Sequence, residues 1–475
     1  MSENPTLSFY GGAGTVTGSK YLIQAYGSKV LLDSGLFQGL KELRLRNWAK
    51  PPFDPAQVNA VVLSHAHIDH SGYLPLLVKN RFRGKIFCTS GTKDLLGVLL
   101  PDSAHLQEEE AAFANRRGYS KHKPALPLYS TGDAEATLKQ LKHYPYGKLF
   151  EVTHGINCLF RRAGHILGSA TVELQIGRKE IVRLVFSGDL GRWDRPILRD
   201  PDFVPEVDIL LVESTYGNRL HSTNAVQDFT RIIHEAVKRG GALIIPAFAV
   251  GRTQEIIWML RQLEDEGKIP SIPVYIDSPM AINVTDMYCR HEDDLNMDML
   301  QAMAQKQCPL CCKQYHLART PEESKALNQI TGPVVIISAS GMATGGRVLH
   351  HLKLRLPDPR TTILLPGYQA IGTRGRSLQD GTKRVKIHGE EVLVNAKVEI
   401  LDGLSAHADQ QEILKWLAGF KRPPKQTYVV HGEPEASEEL VAIIRKKLGW
   451  KVRAALNGET VNLSPESALK EVYKK

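Results

Sequence analysis

The sequence predicts an α/β fold of two domains, one inserted into the other. Short apolar, β-rich runs alternate with segments of helical periodicity along most of the 475 residues. Candidate ligand residues cluster before residue 215 and return after residue 400, and a separate α/β stretch lies between the two clusters. Since a chain of this length exceeds one ordinary core, an interrupted first domain and an inserted second domain explain the pattern.

Each strand is predicted from a short apolar run that ends at a polar or glycine-containing turn. The runs of the first domain are Lys29–Asp33, Ala60–Leu63, Val182–Phe186 and Ile209–Val212. The insert starts near Gly217, and its runs are Ala242–Pro246, Val274–Ile276, Val334–Ser338 and Thr362–Leu365. Helical periodicity is found at Ala225–Arg239, Gln254–Glu266 and Gln410–Gly419.

Composition is typical of a globular, cytoplasmic protein. The first thirty residues lack the pattern of a signal peptide, and no apolar run approaches the roughly 20 residues that span a bilayer, so we expect no membrane contact. The six cysteines are few and irregularly spaced, which argues against disulfides. The net charge of +9 suits a polyanionic partner without requiring one.

Residues 61–70, VVLSHAHIDH, carry the strongest chemical signal in the chain. Alternate residues of an extended segment project to the same side, so His65 and His67 can reach one metal ion. Asp69 and His70 follow where the chain turns into a helix, and they can face a second ion. Imidazole and carboxylate ligands suit zinc, with manganese or iron as alternatives.

An H-x-H-x-D-H motif after an apolar strand resembles the signature of the metallo-β-lactamase superfamily. Further residues occur in the order typical of that family. Asp33, in the segment LLDSG, precedes the motif, and His165 and Asp189, in the segments GHILGS and FSGD, follow it. The resemblance implies an αββα sandwich that binds two zinc ions. It implies that His65, His67 and His165 hold one ion, that Asp69, His70 and a later histidine hold the other, and that Asp189 bridges them. Asp33 would orient a ligand.

Three further segments resemble the motifs of the β-CASP nucleases, a subfamily with an inserted α/β domain. They are LVESTYG from residue 211, LSAHAD from residue 404 and VVHGE from residue 429. The resemblance implies that His431 is the last ligand of the second zinc. It also implies that His407 is the general acid, held by Glu213, so that the catalytic residues are His407, Glu213 and the ligand Asp69. Residues 1–215 and 399–475 would form the metallo-β-lactamase domain, and residues 216–398 the β-CASP domain.

The implied reaction is hydrolysis of phosphodiester bonds by a water that two metal ions activate, with a histidine that protonates the leaving oxygen. The chain is similar to short prokaryotic relatives of the nuclease subunit of the cleavage and polyadenylation factor. In the family, a histidine at the position of His431 goes with members that act on RNA. We therefore expect single-stranded RNA as the partner, while the sequence leaves a homodimer open.

Three loops of the insert carry hydroxyls, glycines, arginines or aromatic side chains that suit phosphate binding. Two of them, Pro246–Arg252 and Gly367–Arg376, also resemble family segments that line the groove between the domains. The remaining loop begins at the end of the apolar run Val334–Ser338. Ser405 belongs to none of the three loops. The expected substrate-binding residues are Ser338, Ser340, Gly341, Arg347, Tyr368, Arg374, Arg252 and Ser405.

Other functions fit the sequence less well. A DNA nuclease of the same fold and a catalytically silent RNA-processing scaffold remain as alternatives, although every expected ligand is present. A small-molecule hydrolase would leave the insert without a role. Cys308, Cys311 and Cys312 superficially resemble half of a zinc knuckle, but no partnering pair follows, so we expect a reduced cluster.

Overall fold

The computed structural model describes residues 4–118, 122–305, 308–367, 369 and 372–463. The chain divides into two compact units. The described residues up to 194, together with 200–220 and 407–463, form the first unit, and those of 195–199 and of 221–406 form the second. The domain boundaries taken from the sequence, at 215/216 and 398/399, stay a prediction.

The N-terminal part of the first unit contains eleven strands and five helices among its described residues. The strands are β1 (Thr6–Gly11), β2 (Lys20–Ala25), β3 (Ser28–Leu32), β4 (Ala60–Val62), β5 (Lys85–Cys88), β6 (Leu141–His143), β7 (Phe150–Thr153), β8 (Ile156–Arg162), β9 (Ala170–Ile176), β10 (Val182–Phe186) and β11 (Ile209–Glu213). The helices are α1 (Lys41–Arg46), α2 (Ile68–Ser71), α3 (Leu74–Lys79), α4 (Ser90–Arg117) and α5 (Thr131–Leu138), with a 3₁₀ turn at Pro55–Gln57.

The second unit follows. Its strands are β12 (Ala242–Pro246), β13 (Val274–Ile276), β14 (Tyr315–Leu317), β15 (Val334–Ser338), β16 (Thr362–Leu365), β17 (Arg384–Ile387), β18 (Glu390–Leu393) and β19 (Lys397–Ile400). Its helices are α6 (Ala225–Arg239), α7 (Arg252–Asp265), α8 (Pro279–Tyr288), α9 (Met297–Ala304), α10 (Pro321–Ala326), α11 (Val348–Arg355) and α12 (Arg374–Gln379), with 3₁₀ turns at Glu292–Asp294 and Leu327–Gln329. The chain then returns to the first unit with α13 (Gln410–Leu417), β20 (Gln426–Val430), α14 (Pro434–Leu448), β21 (Val452–Ala454) and β22 (Thr460–Asn462).

Two seven-stranded sheets form the centre of the first unit. One has the order β22-β1-β2-β3-β4-β5-β6 and the other β21-β20-β11-β10-β9-β8-β7. Their facing sides share one core, in which Phe9 and Tyr21 of the first sheet meet Phe186 and Tyr428 of the second. The outer side of the second sheet is covered by α13 and α14, through residues such as Trp416. This αββα arrangement confirms the predicted fold class, because apolar strands with two buried faces need a layer on each side.

The second unit is built on a parallel sheet of order β14-β13-β15-β12-β16-β19. Its core joins strand residues such as Ile244 and Ile336 to Leu352 of α11 and Leu378 of α12. The strands read as continuous apolar runs because helices cover both faces of such a sheet. The separate hairpin β17–β18 adds Val385 to the same core.

The expectation that the cysteines are unpaired was wrong for two of them. Cys308 and Cys311 form a disulfide, because their spacing in the turn before β14 brings the Cα atoms within 5.5 Å. Cys312 beside them is free and buried. Within the described ranges, no helix combines the length and the apolar character that a bilayer crossing requires.

Candidate metal centre

The candidate ligands of the first unit all follow the ends of strands. The motif of residues 64–70 leaves β4, Asp189 follows β10, and His431 follows β20, while His165 lies in the connection between β8 and β9. Asp33 follows β3 and adopts a φ of +55°, and His431 adopts a φ of +48°. Left-handed conformations of this kind carry a steric cost in residues other than glycine, and they are found where a side chain must be aimed at a site.

The first ligand group consists of His65, His67, His165 and Asp189, which could hold one metal ion. The Nδ1 atom of His67 lies 3.1 Å from His65 Nε2 and 3.2 Å from His165 Nε2. The Oδ2 atom of Asp189 lies 3.4 Å from His65 Nε2 and 3.6 Å from His165 Nε2. Burial lowers the pKa of His67 to about 3 and that of His165 well below its usual range, so both imidazoles are neutral. A neutral imidazole offers the lone pair that a metal ligand needs.

The second ligand group consists of Asp69, His70 and His431. The Nε2 atoms of His70 and His431 are 3.1 Å apart, and Asp69 Oδ2 lies 3.4 Å from His431 Nε2. Burial opposes protonation of His431, but the carboxylates of Asp189 and Asp69 together outweigh it and raise the pKa of His431 to about 10. The carboxylates therefore favour positive charge at this place, which is the electrostatic condition for a bound cation.

Asp189 faces both groups, one oxygen to each. While Oδ2 is directed to the first group, Oδ1 lies 3.2 Å from His70 Nε2 and 3.1 Å from His431 Nδ1. Yet neither nitrogen, nor any other donor in the part of the chain that the structure describes, has the geometry of a hydrogen bond to this buried Oδ1 atom. Because a buried acceptor normally has a partner, an oxygen left between the two groups fits a ligand that two cations share.

Asp33 stabilises the loop that carries the histidines through contacts with Ser64 and His70. Its Oδ1 accepts a hydrogen bond from the backbone N–H of Ser64, and its Oδ2 accepts one from the Ser64 hydroxyl, both at 2.7 Å. The same Oδ2 lies 2.7 Å from Nδ1 of His70. This contact fixes the ring so that Nε2 is directed to the centre, which is the usual support of a metal-binding histidine.

His407 and Glu213 form a pair next to Asp189. Both carboxylate oxygens of the fully buried Glu213 lie 3.2 Å from His407 Nδ1, and His407 Nε2 lies 3.9 Å from Asp189 Oδ2. Glu213 is itself fixed, because it accepts a hydrogen bond from the backbone N–H of Leu190 at 2.6 Å. Burial opposes protonation of His407, but Glu213 and Asp189 raise its pKa above the usual value, so the imidazole can carry a proton at neutral pH.

Sequence reasoning missed two residues that touch these groups. Ser64 joins Asp33 to His65, since its hydroxyl lies 3.0 Å from His65 Nδ1. The Thr215 hydroxyl lies 3.3 Å from Nδ1 of His431. Their positions in the sequence could have indicated this role, because Ser64 directly precedes the histidine motif and Thr215 lies two residues after Glu213.

The substrate-binding residues expected in the second unit differ in burial and in the contacts that they make. Ser338 is 1 % exposed and donates a hydrogen bond to the backbone carbonyl of Asp277, which favours a structural role over the predicted phosphate contact. The Ser340 hydroxyl pairs with that of Thr344 at 2.9 Å. Gly341 permits close packing, since a Cβ there would lie 2.9 Å from the Phe248 ring.

The predicted arginines brace the loops of the second unit. Arg347 donates to Asp277 at 2.9 Å and to the carbonyl of Ala318 at 3.0 Å. Arg374 donates to the carbonyls of Ala343 and Thr344, at 3.2 and 3.0 Å.

The remaining predicted residues fall into three cases. Arg252 donates to the Pro366 carbonyl. Ser405 is buried, with 8 % of its surface exposed, and Tyr368 lies outside the described residues.

A buried network around Asp277 was not predicted. The carboxylate accepts hydrogen bonds from Ser324 at 2.7 Å and from Arg347 at 2.9 Å, and it lies 2.7 Å from His351 Nε2. These three partners come from different segments of the second unit, so the contacts join α10, α11 and the loop before α11 to the end of β13. A buried carboxylate needs such partners to offset the loss of hydration.

Comparison with known families agrees with this geometry. Residues 13–220 match the metallo-beta-lactamase superfamily, residues 253–378 match the Beta-Casp domain, and residues 391–455 match the Zn-dependent metallo-hydrolase RNA specificity domain. The family resemblance stated from the sequence is thereby confirmed.

Several curated proteins are similar to the chain over nearly its whole length. Ribonuclease TTHA0252 of Thermus thermophilus is 37% identical over 95% of this chain and 98% of its own length. Transcription termination factor FttA of Methanosarcina mazei is 33% identical over 95% of this chain and 71% of its own length. An RNase J-like protein of Methanocaldococcus jannaschii is 31% identical over 93% and 96% of the two chains.

Among solved structures, a protein of unknown function from Enterococcus faecalis covers 97% of this chain and 100% of its own, with a TM-score of 0.55 and 13% identity, which shows a shared fold. The family matches and the His/Asp groups together support a metal cofactor. The chain therefore belongs to the metallo-β-lactamase superfamily, among its members with a Beta-Casp domain, and it is a metal-dependent hydrolase.

Proposed function

We propose that the protein is a zinc-dependent ribonuclease that hydrolyses phosphodiester bonds in single-stranded RNA. The observation that carries this proposal is the arrangement of two mostly buried ligand groups that share Asp189, with the His407–Glu213 pair beside them. A single ligand group would suffice for a structural ion, whereas two groups around one carboxylate suit a displacement at phosphorus.

The proposed site holds two zinc ions. His65, His67 and His165 would bind one, Asp69, His70 and His431 the other, and Asp189 both. When bound, the pair supplies a hydroxide nucleophile near neutral pH and offsets the negative charge that gathers on the phosphoryl oxygens.

The residues of the chain supply the remaining steps. Glu213 favours the protonated form of His407 and lies against its Nδ1, so that Nε2 can give a proton to the departing oxygen. Asp33 orients His70, and burial keeps the imidazoles of the first group neutral. Exclusion of water from these buried groups strengthens each electrostatic contact.

Four observations favour RNA as the substrate. Relatives similar over nearly the whole chain are named as ribonucleases or as transcription termination factors. The third family match is described as an RNA specificity domain. The histidine at position 431 and the net charge of +9 agree with an RNA partner. A cytoplasmic location fits this substrate and belongs to the same proposal.

The test is a timed digest of single-stranded RNA and of DNA of the same sequence, labelled at either end, with zinc-loaded and with chelated protein. We expect RNA to be cleaved and the chelator to abolish cleavage. The ladder of products separates internal cutting from trimming at an end. Preferential cleavage of DNA would contradict the RNA assignment, and no cleavage of either polymer by fully metallated protein would favour a scaffold.

A further inference from the structure

The segment of residues 38–50 follows β3 and includes α1; we call it the basic loop. It carries four cationic side chains, Lys41, Arg44, Arg46 and Lys50, against one carboxylate, Glu42. Among the described residues, none of the four cations forms an ion pair with a carboxylate within 4 Å. Their charge is therefore available to a partner in solution.

Large apolar side chains are exposed on the same loop. Trp48 is 57% exposed, Leu45 56% and Leu40 55%, and α1 has no buried residue. A helix without a buried face gains little stability from the core, and an isolated helix of one to two turns is not stable in water. An indole ring exposed among cations is the combination with which proteins stack bases and bind phosphates of single-stranded nucleic acid.

The loop is nevertheless fixed at its base. The Asn47 side chain forms two hydrogen bonds with the backbone of Phe37, accepting from its N–H at 2.9 Å and donating to its carbonyl at 2.8 Å. The ammonium of the buried Lys20 lies 4.6 Å from the centre of the Phe37 ring and 4.5 Å from the centre of the Tyr73 ring. The ammonium also donates to the carbonyl of Gly35. Trp48 thus projects from a rigid support, which lowers the entropy lost on binding.

The base of the loop adjoins the metal centre within the first unit. The N–H of Leu36 donates to the Ile68 carbonyl at 2.9 Å, and Ile68 stands between the candidate ligands His67 and Asp69. The N–H of Ser19 donates to the Asp69 carbonyl at 3.0 Å. The chain and its hydrogen bonds connect Trp48 to Asp69 through Asn47, Phe37, Leu36 and Ile68. The length of this connection limits the distance between the Cα atoms of Trp48 and Asp69 to about 25 Å. A strand bound at the centre can extend to the loop.

We propose that the basic loop is a second binding surface for single-stranded RNA, with a base stacked on Trp48 and phosphates paired with Lys41, Arg44, Arg46 and Lys50. The inference rests on the proposed ribonuclease function. RNA is favoured over a protein partner because the exposed apolar groups are surrounded by an excess of positive charge, whereas the core of a protein interface is depleted of charge.

The test compares a long single-stranded RNA with bis(p-nitrophenyl) phosphate, a substrate too small to reach the loop, on the zinc-loaded full chain. The quantity to compare is the kcat/KM for RNA divided by the kcat/KM for the small ester. We expect Trp48→Ala to lower this ratio by about tenfold, because one stacked base is lost. Most of the change should be a rise in the KM for RNA. Trp48→Phe should restore most of the ratio. An equal fall for both substrates, or an unchanged ratio, would overturn the proposal.

The charges are tested by the salt dependence of RNA binding. The double variant Lys41→Gln/Arg44→Gln should reduce the slope of log affinity against log salt by about 0.7 for each cation removed. The matched control is Phe113→Ala with Arg116→Gln and Arg117→Gln, exposed residues of the same types near the C-terminal end of α4. An unchanged slope in the loop variant, or an equal change in the control, would contradict the role of the loop.

The two proposals fail in different ways. Wild-type protein that hydrolyses the small ester but neither cleaves nor binds RNA would contradict the ribonuclease function and the loop together. Wild-type protein that cleaves RNA, with loop variants that match it in ratio and slope, would contradict the loop alone. Self-association that only Trp48→Ala abolishes, with RNA binding unchanged, would show a protein-binding surface and overturn the proposal.

Discussion

His407 is the residue whose role differs most from that of its neighbours. It lies against Asp189 and pairs with Glu213 at 3.2 Å. These three side chains are close enough to hold an ion themselves, but His407 belongs to neither of the two proposed zinc ligand sets. We expect His407→Ala to keep its zinc and to lose about 100- to 10,000-fold in cleavage rate, the contribution of a positioned acid. Metal analysis and single-turnover cleavage would check both parts. Loss of zinc together with activity would contradict the assignment.

Glu213 sets the pH range in which His407 holds its proton. Burial lowers the pKa of His407, and the carboxylates of Glu213 and Asp189 raise it above the usual value. Activity that needs a protonated acid is lost as pH rises through this pKa. Glu213→Gln removes one of the charges that raise it, so the alkaline limb of the pH–rate profile should move to lower pH. Since metal is present in both proteins, a limb that does not move would exclude His407 as the acid.

Asp189 and Asp33 offer a matched comparison of two carboxylates. Asp189 faces both ligand groups, whereas Asp33 contacts His70 from outside. We expect Asp33→Asn, which tolerates the left-handed backbone, to weaken zinc binding by about 10- to 100-fold, the usual cost of losing a supporting group. Asp189→Ala should weaken it more. Equal zinc affinities in the two variants, measured by competition with a chromogenic chelator, would contradict a shared ligand.

At the residue scale, the sequence predicted which side chains would meet, but not all of their supports. The H-x-H-x-D-H spacing predicts the convergence of His65, His67 and His70 because a strand end and a helix start have fixed periodicities. The hydroxyls of Ser64 and Thr215 were missed, since a hydroxyl beside a motif carries no periodic signal. Arg347 and Arg374 donate to backbone carbonyls, a contact that the sequence did not predict, and their contact with phosphates stays a prediction.

At the element scale, α2 is held against the loop after β3 by close backbone packing. A Cβ on Gly35 would lie 1.5 Å from the carbonyl oxygen of Asp69. Gly35→Ala must therefore displace the helix that carries Asp69 and His70, at a cost of about 3 kcal/mol. Thermal unfolding should show a midpoint lower by several degrees, together with weaker zinc binding.

The control for Gly35 is Gly97 in the interior of α4, where an added Cβ would meet nothing within 4 Å. Gly97→Ala should stabilise the protein by about 0.5–1 kcal/mol, because alanine restricts the unfolded chain and favours helix. If both alanine variants melt at the same temperature, close packing at Gly35 does not hold the ligand helix.

The positions of the elements were predicted better than their pairing. The apolar runs predicted both ends of β3, β4, β10 and β11 to within one residue, because such runs end at turns. The pairing of β22 with β1 could not be predicted, since the contact between Ser8 and Thr460 joins distant parts of the chain and leaves no local pattern. The Cys308–Cys311 disulfide was missed for a related reason, because spacing alone does not fix the direction of two Cβ atoms.

For the whole molecule, two units with separate cores imply two unfolding transitions. The candidate ligands all belong to the first unit, while the core around Ile336 belongs to the second. Bound zinc should stabilise only the first unit, by about 4 kcal/mol when free zinc exceeds the Kd about 1,000-fold. Calorimetry of zinc-loaded and chelated protein should thus shift one transition and leave the other in place. A single transition that zinc shifts as a whole would show that the units unfold together, and no shift would contradict a metal centre built from these residues.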